Sequence, residues 1–377
     1  MAQIGRSLGY AYDIREFGAV GDGKTENRRT IQAAIDACTA AGGGTVYCPP
    51  GRYLTGTLEI KSNVNLHLDS GATLLGSTNR GDYVTISYPL SGPPRPGATI
   101  EHLIFARKAQ NVAITGLGTI DGQGDEFFEQ RPGRARLSPK AWRPWRMISF
   151  LDCRNVTMEN VTVRNSPAFT IWPLGCDNVI IRGVRIFNNP IGPNSDGIDP
   201  DCCRGVTISN CHIDVGDDAI ALKTSVDKLG RIKACEDVVV TNCTLVTTCC
   251  AVRIGYEGDA PIRNCTFSNL AISRCRTGIN MLVPGHSDWK DSLITHGPAI
   301  ENIRFSNLIM DTRVPLFLWI GDDAKRPGGI RNIAISDVYA TTERGCFVGG
   351  TRAIPVEGLQ LRNWRLEVRG EMDDEFG

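Results

Sequence analysis

Nine times along this chain the same pattern returns: an apolar residue, a spacer, an apolar residue, a spacer, then Asn, Gly or Asp, and another apolar pair. It reads NVTMENVTV from Asn155, NVIIRGVRI from Asn178, GVTISNCHI from Gly205 and DVVVTNCTL from Asp237. It continues as NCTFSNLAI from Asn264, NIRFSNLIM from Asn302, NIAISDVYA from Asn332 and GLQLRNWRL from Gly358, with a weaker copy at Asn111. The mid-repeat residues are Gly116, Asn160, Gly183, Asn210, Asn242, Asn269, Asn307, Asp337 and Asn363, all types that tolerate a left-handed backbone. Each copy therefore predicts two short strands meeting at a fixed bend. Start-to-start spacings of 23 to 38 residues fit a solenoid repeat with loops of varying length. Stacked coils place each strand beside its counterpart one turn away and turn the apolar positions into continuous interior columns. The expected fold is all-β, a right-handed parallel β-helix, as one domain over 1–377 with its clearest coils in 111–366.

Solenoid ends need cover, because an open coil presents unpaired backbone and exposed core. Residues Thr25 to Cys38 predict an N-terminal capping helix with Ile31, Ala34, Ile35 and Cys38 on one face. The glycines of AAGGGTVYCPPGRYLTG follow that helix instead of opening one, without GxGxxG or a Walker lysine, and read as turns.

The 41 basic and 41 acidic residues cancel, leaving no electrostatic footprint for nucleic acid or an anionic membrane. No run approaches the length of a membrane span, and MAQIGRSLGYAYDIREFG lacks the apolar core of a signal peptide. The 14 cysteines show no CxxC or Cys/His spacing; Cys211, Cys243 and Cys265 fall at apolar repeat positions and read as small core residues. Reduced thiols and a cytoplasmic location are the corresponding expectation. Neither a metal nor a cofactor is expected.

A further strand aligns in five coils as PAFTIW, DGIDPD, DAIALK, CAVRIG and TGINML, from residues 167, 196, 218, 250 and 277. Their third and fifth residues face the core, which leaves Thr170, Asp199, Ala221, Arg253 and Asn280 in one outward row. The second outward row is Trp172, Asp201, Lys223, Gly255 and Leu282. Strict alternation would turn Asp196 and Asp218 inward, and two unpaired buried carboxylates would cost several kcal/mol. A bend at the strand start is expected instead, so that Asp196, Asp199, Asp217 and Asp218 cluster on one outer face, on rungs about 5 Å apart. Four such acids cannot all stay ionised, and one should hold a proton near neutral pH. A protonated carboxyl beside an ionised one is what glycosidic bond cleavage requires. An Asp ladder that binds a cation or caps turns would look the same.

The segments FGAVGDGKTENRRTIQAAIDA, GGGTVYCPPGRYLTG, NSDGID and GDDAIALK resemble the motifs of the family 28 glycoside hydrolases, the polygalacturonase-like β-helical enzymes, and the resemblance spans essentially the whole chain. It implies that Asp196 and Asp218 activate water, that Asp217 protonates the leaving group, and that Asn194, Gly197 and Asp199 complete the first motif. It also implies inversion, for which the carboxyls should stand ~6.5–9.5 Å apart, wider than adjacent rungs unless the side chains splay.

Two departures bear on substrate. Where the family has Gly-His-Gly, this chain has Cys249, Cys250 and Ala251; where it has Arg-Ile-Lys, this chain has Asn280, Met281 and Leu282. The family's Arg and Lys grip a galacturonate carboxylate, and a carboxylate without cationic partners in a cleft is penalised. Lys223 and Arg253 could take over that contact, or could only balance the aspartates. The insertions WRPWRM and VPGHSDWKD add Trp142, Arg143, Trp145, Arg146, His286 and Trp289 as candidates for stacking on sugars and bonding hydroxyls, and could close one end of the groove for exo action. The expected partner is an oligo- or polysaccharide. A polysaccharide lyase and a non-catalytic carbohydrate-binding β-helix are the alternatives.

Overall fold

The computed structural model describes residues 11–91, 99–285 and 295–369. Its dominant feature is a stack of parallel strands in three columns. The first column includes Gly44–Cys48, Val64–Leu68, Gln110–Gly116, Arg154–Glu159, Asp177–Arg182 and Arg204–Ser209, each pairing in parallel with the next. After a bend comes the second, with Gly51–Thr55, Ala72–Gly76, Thr119–Asp121, Thr162–Arg164, Arg185–Phe187 and His212–Val215. The third holds Thr99–Arg107, Arg146–Leu151, Phe169–Leu174, Ile220–Thr224 and Cys250–Gly258, with single bridges at Ile198 and Asp201 carrying the ladder between them. In the later coils the columns fuse into long bent strands such as Ile262–Val283 and Ala299–Ile320. These are the stacked coils that the repeat predicts.

All nine mid-repeat residues adopt positive φ, between 52° and 64° for the seven Asn and Asp. The first residue of every copy does so too, at 54° to 69°. Each repeat thus has two left-handed bends, and only one of them is evident from the sequence pattern. The side chains at these bends stack into ladders: Asn155 donates to Asn111 at 2.9 Å and Asn178 to Asn155 at 3.1 Å, while Asn269 donates to Asn242 at 3.1 Å and Asn307 to Asn269 at 3.2 Å. At Gly183, where φ is 64°, the Asn160 side-chain oxygen of the rung beside it occupies the space a Cβ would take.

Inside, columns of similar residues run through successive rungs. Ile148, Ile171, Ile198, Ile220, Val252, Ile279 and Leu316 form one, all fully buried. Cys153, Cys176, Cys203 and Cys235 form another, and 13 of the 14 cysteines are buried and free, Cys211, Cys243 and Cys265 among them. The capping helix spans Arg28–Ala40 and buries Ile31, Ala34, Ile35 and Cys38, the face expected. It starts three residues later than expected because Asp22–Glu26 is a strand beside Gly51–Thr55. Asn27 makes the junction: its side chain accepts from the Val20 N–H at 2.7 Å and donates to the Thr25 carbonyl at 2.5 Å.

One expected register is wrong. Ile171, not Phe169, pairs with Ile198, so Trp172 sits beside Asp199, and Leu174 beside Asp201. A slip of two keeps the inward and outward faces unchanged, so alternation cannot detect it.

Candidate active site

On the third column the rungs of Asp196 and Asp218 are neighbours, since Ile198 pairs with Ile220 and Asp201 with Lys223. The expected bend is present in effect: both carboxylates leave the core and meet cations on the outward face. Lys223 Nζ lies 3.3 Å from Asp196, 3.4 Å from Asp199 and 3.5 Å from Glu257. Arg253 Nε lies 2.7 Å from Asp218, whose other oxygen accepts the Cys250 N–H at 3.3 Å. Gly197 permits this close stacking, because a Cβ there would fall on the Ala219 carbonyl oxygen.

The acids are not on an open face. Asp196, Asp199 and Asp218 are 3%, 1% and 4% exposed, whereas the Asp217 side chain keeps 19% of its surface accessible. Asp217 Oδ2 accepts the Asn194 N–H at 3.2 Å and stands 3.5 Å from Arg136, whose guanidinium also reaches the Gly216 carbonyl. Asn194 is in turn held through its side-chain oxygen by Arg143 at 2.7 Å. The three expected catalytic carboxylates therefore each meet a different cation: Asp196 meets Lys223, Asp217 meets Arg136 and Asp218 meets Arg253.

Burial pushes Asp196, Asp199 and Asp218 above the ordinary aspartate range, Asp199 furthest; Lys223 opposes this at the first two and Arg253 at the third. For Lys223 burial works against the charge, yet Asp199, Glu257, Asp196 and Asp218 together hold the ammonium protonated well above its usual value. Burial is the largest single influence on Glu257 and raises it, but Lys223, Lys228 and Arg146 together bring it below the ordinary glutamate range. Neither oxygen of Asp199 is in a hydrogen bond among the described residues, so its environment is the one that most favours a retained proton.

Lys223 and Arg253 both lie against carboxylates, and Lys223 also lies 3.9 Å over the Phe169 ring. Trp142 is a packing residue, not an exposed platform: it sits edge-on to Tyr83 and Phe127, its indole N–H directed at Glu101 at 3.4 Å. In the same insertion Trp145 is the exposed ring, 43% accessible, stacked on Arg143. Arg146 is buried between Phe169 and Trp172. His286 and Trp289 lie outside the described residues. Asp201 is structural, accepting from the Trp172 indole at 3.1 Å and the Ser225 N–H at 2.6 Å.

Sequence reasoning missed Glu257, Arg136 and Phe169. Glu257 follows a register shift after Leu222, and Phe169 joins the site only through the two-residue slip. Arg136 comes from a loop without periodicity; no signal marked it. In place of the family histidine, Cys249 and Cys250 bring two sulfurs within 4.8 Å of an Asp218 oxygen, donor types a soft divalent ion uses. Arg253 already lies against that carboxylate and 3.3 Å from Cys250 Sγ, so a guanidinium balances the group.

Residues 38–312 match the sequence model of glycosyl hydrolases family 28. A probable polygalacturonase of Vitis vinifera is 32% identical over 308 residues, 79% of this chain and 62% of the relative. An exopolygalacturonase of Zea mays is 30% identical over 67% of this chain and 64% of its own length. The chain thus spans somewhat less than two thirds of those relatives. Among solved structures, a hyperthermoactive exopolygalacturonase from Thermotoga maritima superposes with a TM-score of 0.75 at 22% identity, over 95% of this chain and 92% of that one, which shows the shared fold. With its aspartate motifs gathered on a parallel β-helix and the match covering most of its length, the chain belongs to glycosyl hydrolases family 28.

Proposed function

We propose that the protein is a glycoside hydrolase that cleaves O-glycosidic bonds in a pectic oligo- or polysaccharide with inversion, Asp217 acting as general acid and Asp196 and Asp218 activating water. The observation that carries this reading is the division among the three carboxylates. Asp217 is the one that reaches solvent and can touch a leaving-group oxygen. Burial raises Asp196 and Asp218, and Lys223 and Arg253 pull them back toward the ionised form a base needs. Polygalacturonate is the first substrate class to test, because the relatives named above are polygalacturonases.

The test is proton NMR of the anomer released from oligogalacturonides and neutral pectic oligosaccharides by wild type and Asp217→Asn. Inverted product from wild type, and a rate ~10²–10⁴-fold lower in the variant, is expected. Retained configuration, full activity in the variant, or a calcium-dependent unsaturated product absorbing in the ultraviolet would overturn the assignment, the last in favour of a lyase.

A further inference from the structure

Beside the acids, on the C-terminal side, lies a cavity of about 470 Å³ whose lining includes Arg253, Arg276, Asn280, Arg313, Phe317 and Arg344. Cavities of ~300–1,000 Å³ are of ligand-binding size. Three of its arginines, Arg276, Arg313 and Arg344, come from one bend repeated on successive rungs, while Arg253 lies on the strand beside Asn280. Cys275 pairs with Thr312 and Thr277 with Val314, which sets Arg276 beside Arg313. The Arg344 N–H then bonds the Arg313 carbonyl at 2.9 Å, adding a third arginine one rung further. Like charges stacked at the roughly 4.8 Å rung spacing repel and do not help the coil. The acids on this side are few: Glu343 lies 3.4 Å from Arg313, both exposed, and Asp311 lines the adjoining groove.

A second observation points to a ligand. Asn280 is 6% exposed and lines the cavity, yet its buried side-chain oxygen has no hydrogen-bond partner among the described residues. Such an atom is costly unless something supplies a donor. Sugar hydroxyls are donors of that kind. Phe317, stacked on Phe347 at 4.8 Å, supplies an apolar ring face in the same wall. Arg253 provides continuity with the acids, since it both lines the cavity and pairs with Asp218.

We propose that this cavity is a subsite for an acidic sugar unit two to three rungs C-terminal of the Asp218 rung, with Arg276 and Arg313 gripping its carboxylate, Asn280 accepting from a hydroxyl and Phe317 facing the ring. The inference rests on the hydrolase reading for its orientation along the groove. It places anion recognition on the turn before the strand, since the strand itself offers Asn280, Met281 and Leu282.

The experiment compares wild type, Arg276→Gln/Arg313→Gln and a control, Arg182→Gln, whose guanidinium pairs with Glu159 on another column. Substrates are an oligogalacturonide and its methyl ester, which removes the charge and keeps the sugar. In the double variant KM for the acid form should rise ~10–100-fold, the loss expected for charge-assisted contacts, with kcat little changed. The ester should be handled alike by all three proteins, and added salt should raise KM for the acid in wild type more than in the variant. Equal loss on acid and ester, or an unchanged KM for the acid, overturns the subsite. Should wild type turn over neither compound, the hydrolase reading fails on those substrates. Calorimetry of oligogalacturonide binding then decides the subsite alone: binding lost in the double variant supports it, and no binding to wild type overturns it.

Discussion

Arg253 stands where it can set the charge of Asp218. Burial raises that carboxyl, and the guanidinium at 2.7 Å is the first influence pulling it back. A carboxylate acting as base must be ionised, so activity on the acid side falls as Asp218 takes up its proton. Arg253→Gln removes the largest opposing influence, leaving burial and Asp196 opposed mainly by Lys223, and the acid limb of kcat/KM should move to higher pH. A pH profile checks this; an unmoved limb would mean that Asp218 does not act as base. Removing one partner of a buried pair also costs about 3–5 kcal/mol, so a melting curve of the same variant should show clear destabilisation.

At the scale of the repeat, the two left-handed bends and their side-chain ladders hold the coils in phase. Asn269 donates to Asn242 and accepts from Asn307 while holding φ at 54°. Asn269→Ala should lose both bonds and strain the bend, at about 1–3 kcal/mol in denaturant unfolding. Asn269→Gly should lose the bonds but relax the bend, and so cost less. The mid-repeat bend was legible in the sequence because few residue types accept positive φ, and the core columns because apolar positions recur; the bend at the first residue of each copy was not. The aspartate cluster followed from the same alternation plus the expense of burying Asp196 and Asp218. What stayed hidden was what alternation does not encode. A two-residue slip preserves faces, so Phe169 could not be placed under Lys223. Loop geometry has no period, so the sequence could not tell the packed Trp142 from the exposed Trp145. Pairing across rungs depends on side-chain reach, so the contacts of Lys223 and Arg253 with carboxylates, with Glu257 as third acid, needed the structure.

For the molecule as a whole, the buried sulfurs have a use in measurement. Thirteen thiols are sequestered and one, on Cys346, is exposed. A thiol reagent should label one site per molecule at once in native buffer, and the others only as coils open; prompt labelling of several would contradict the packing described. Because Cys38 and Cys48 mark the capped end while Cys153, Cys176, Cys203 and Cys235 mark successive middle rungs, mass spectrometry of partly labelled protein carries positional information. In a stack whose units touch only their neighbours, opening can spread from an end or proceed in one step. Label appearing first at Cys38 and Cys48 would report fraying from the cap, and simultaneous label at every rung would report a single cooperative event. The sulfur column is in that sense a time-stamped ruler laid along the solenoid axis.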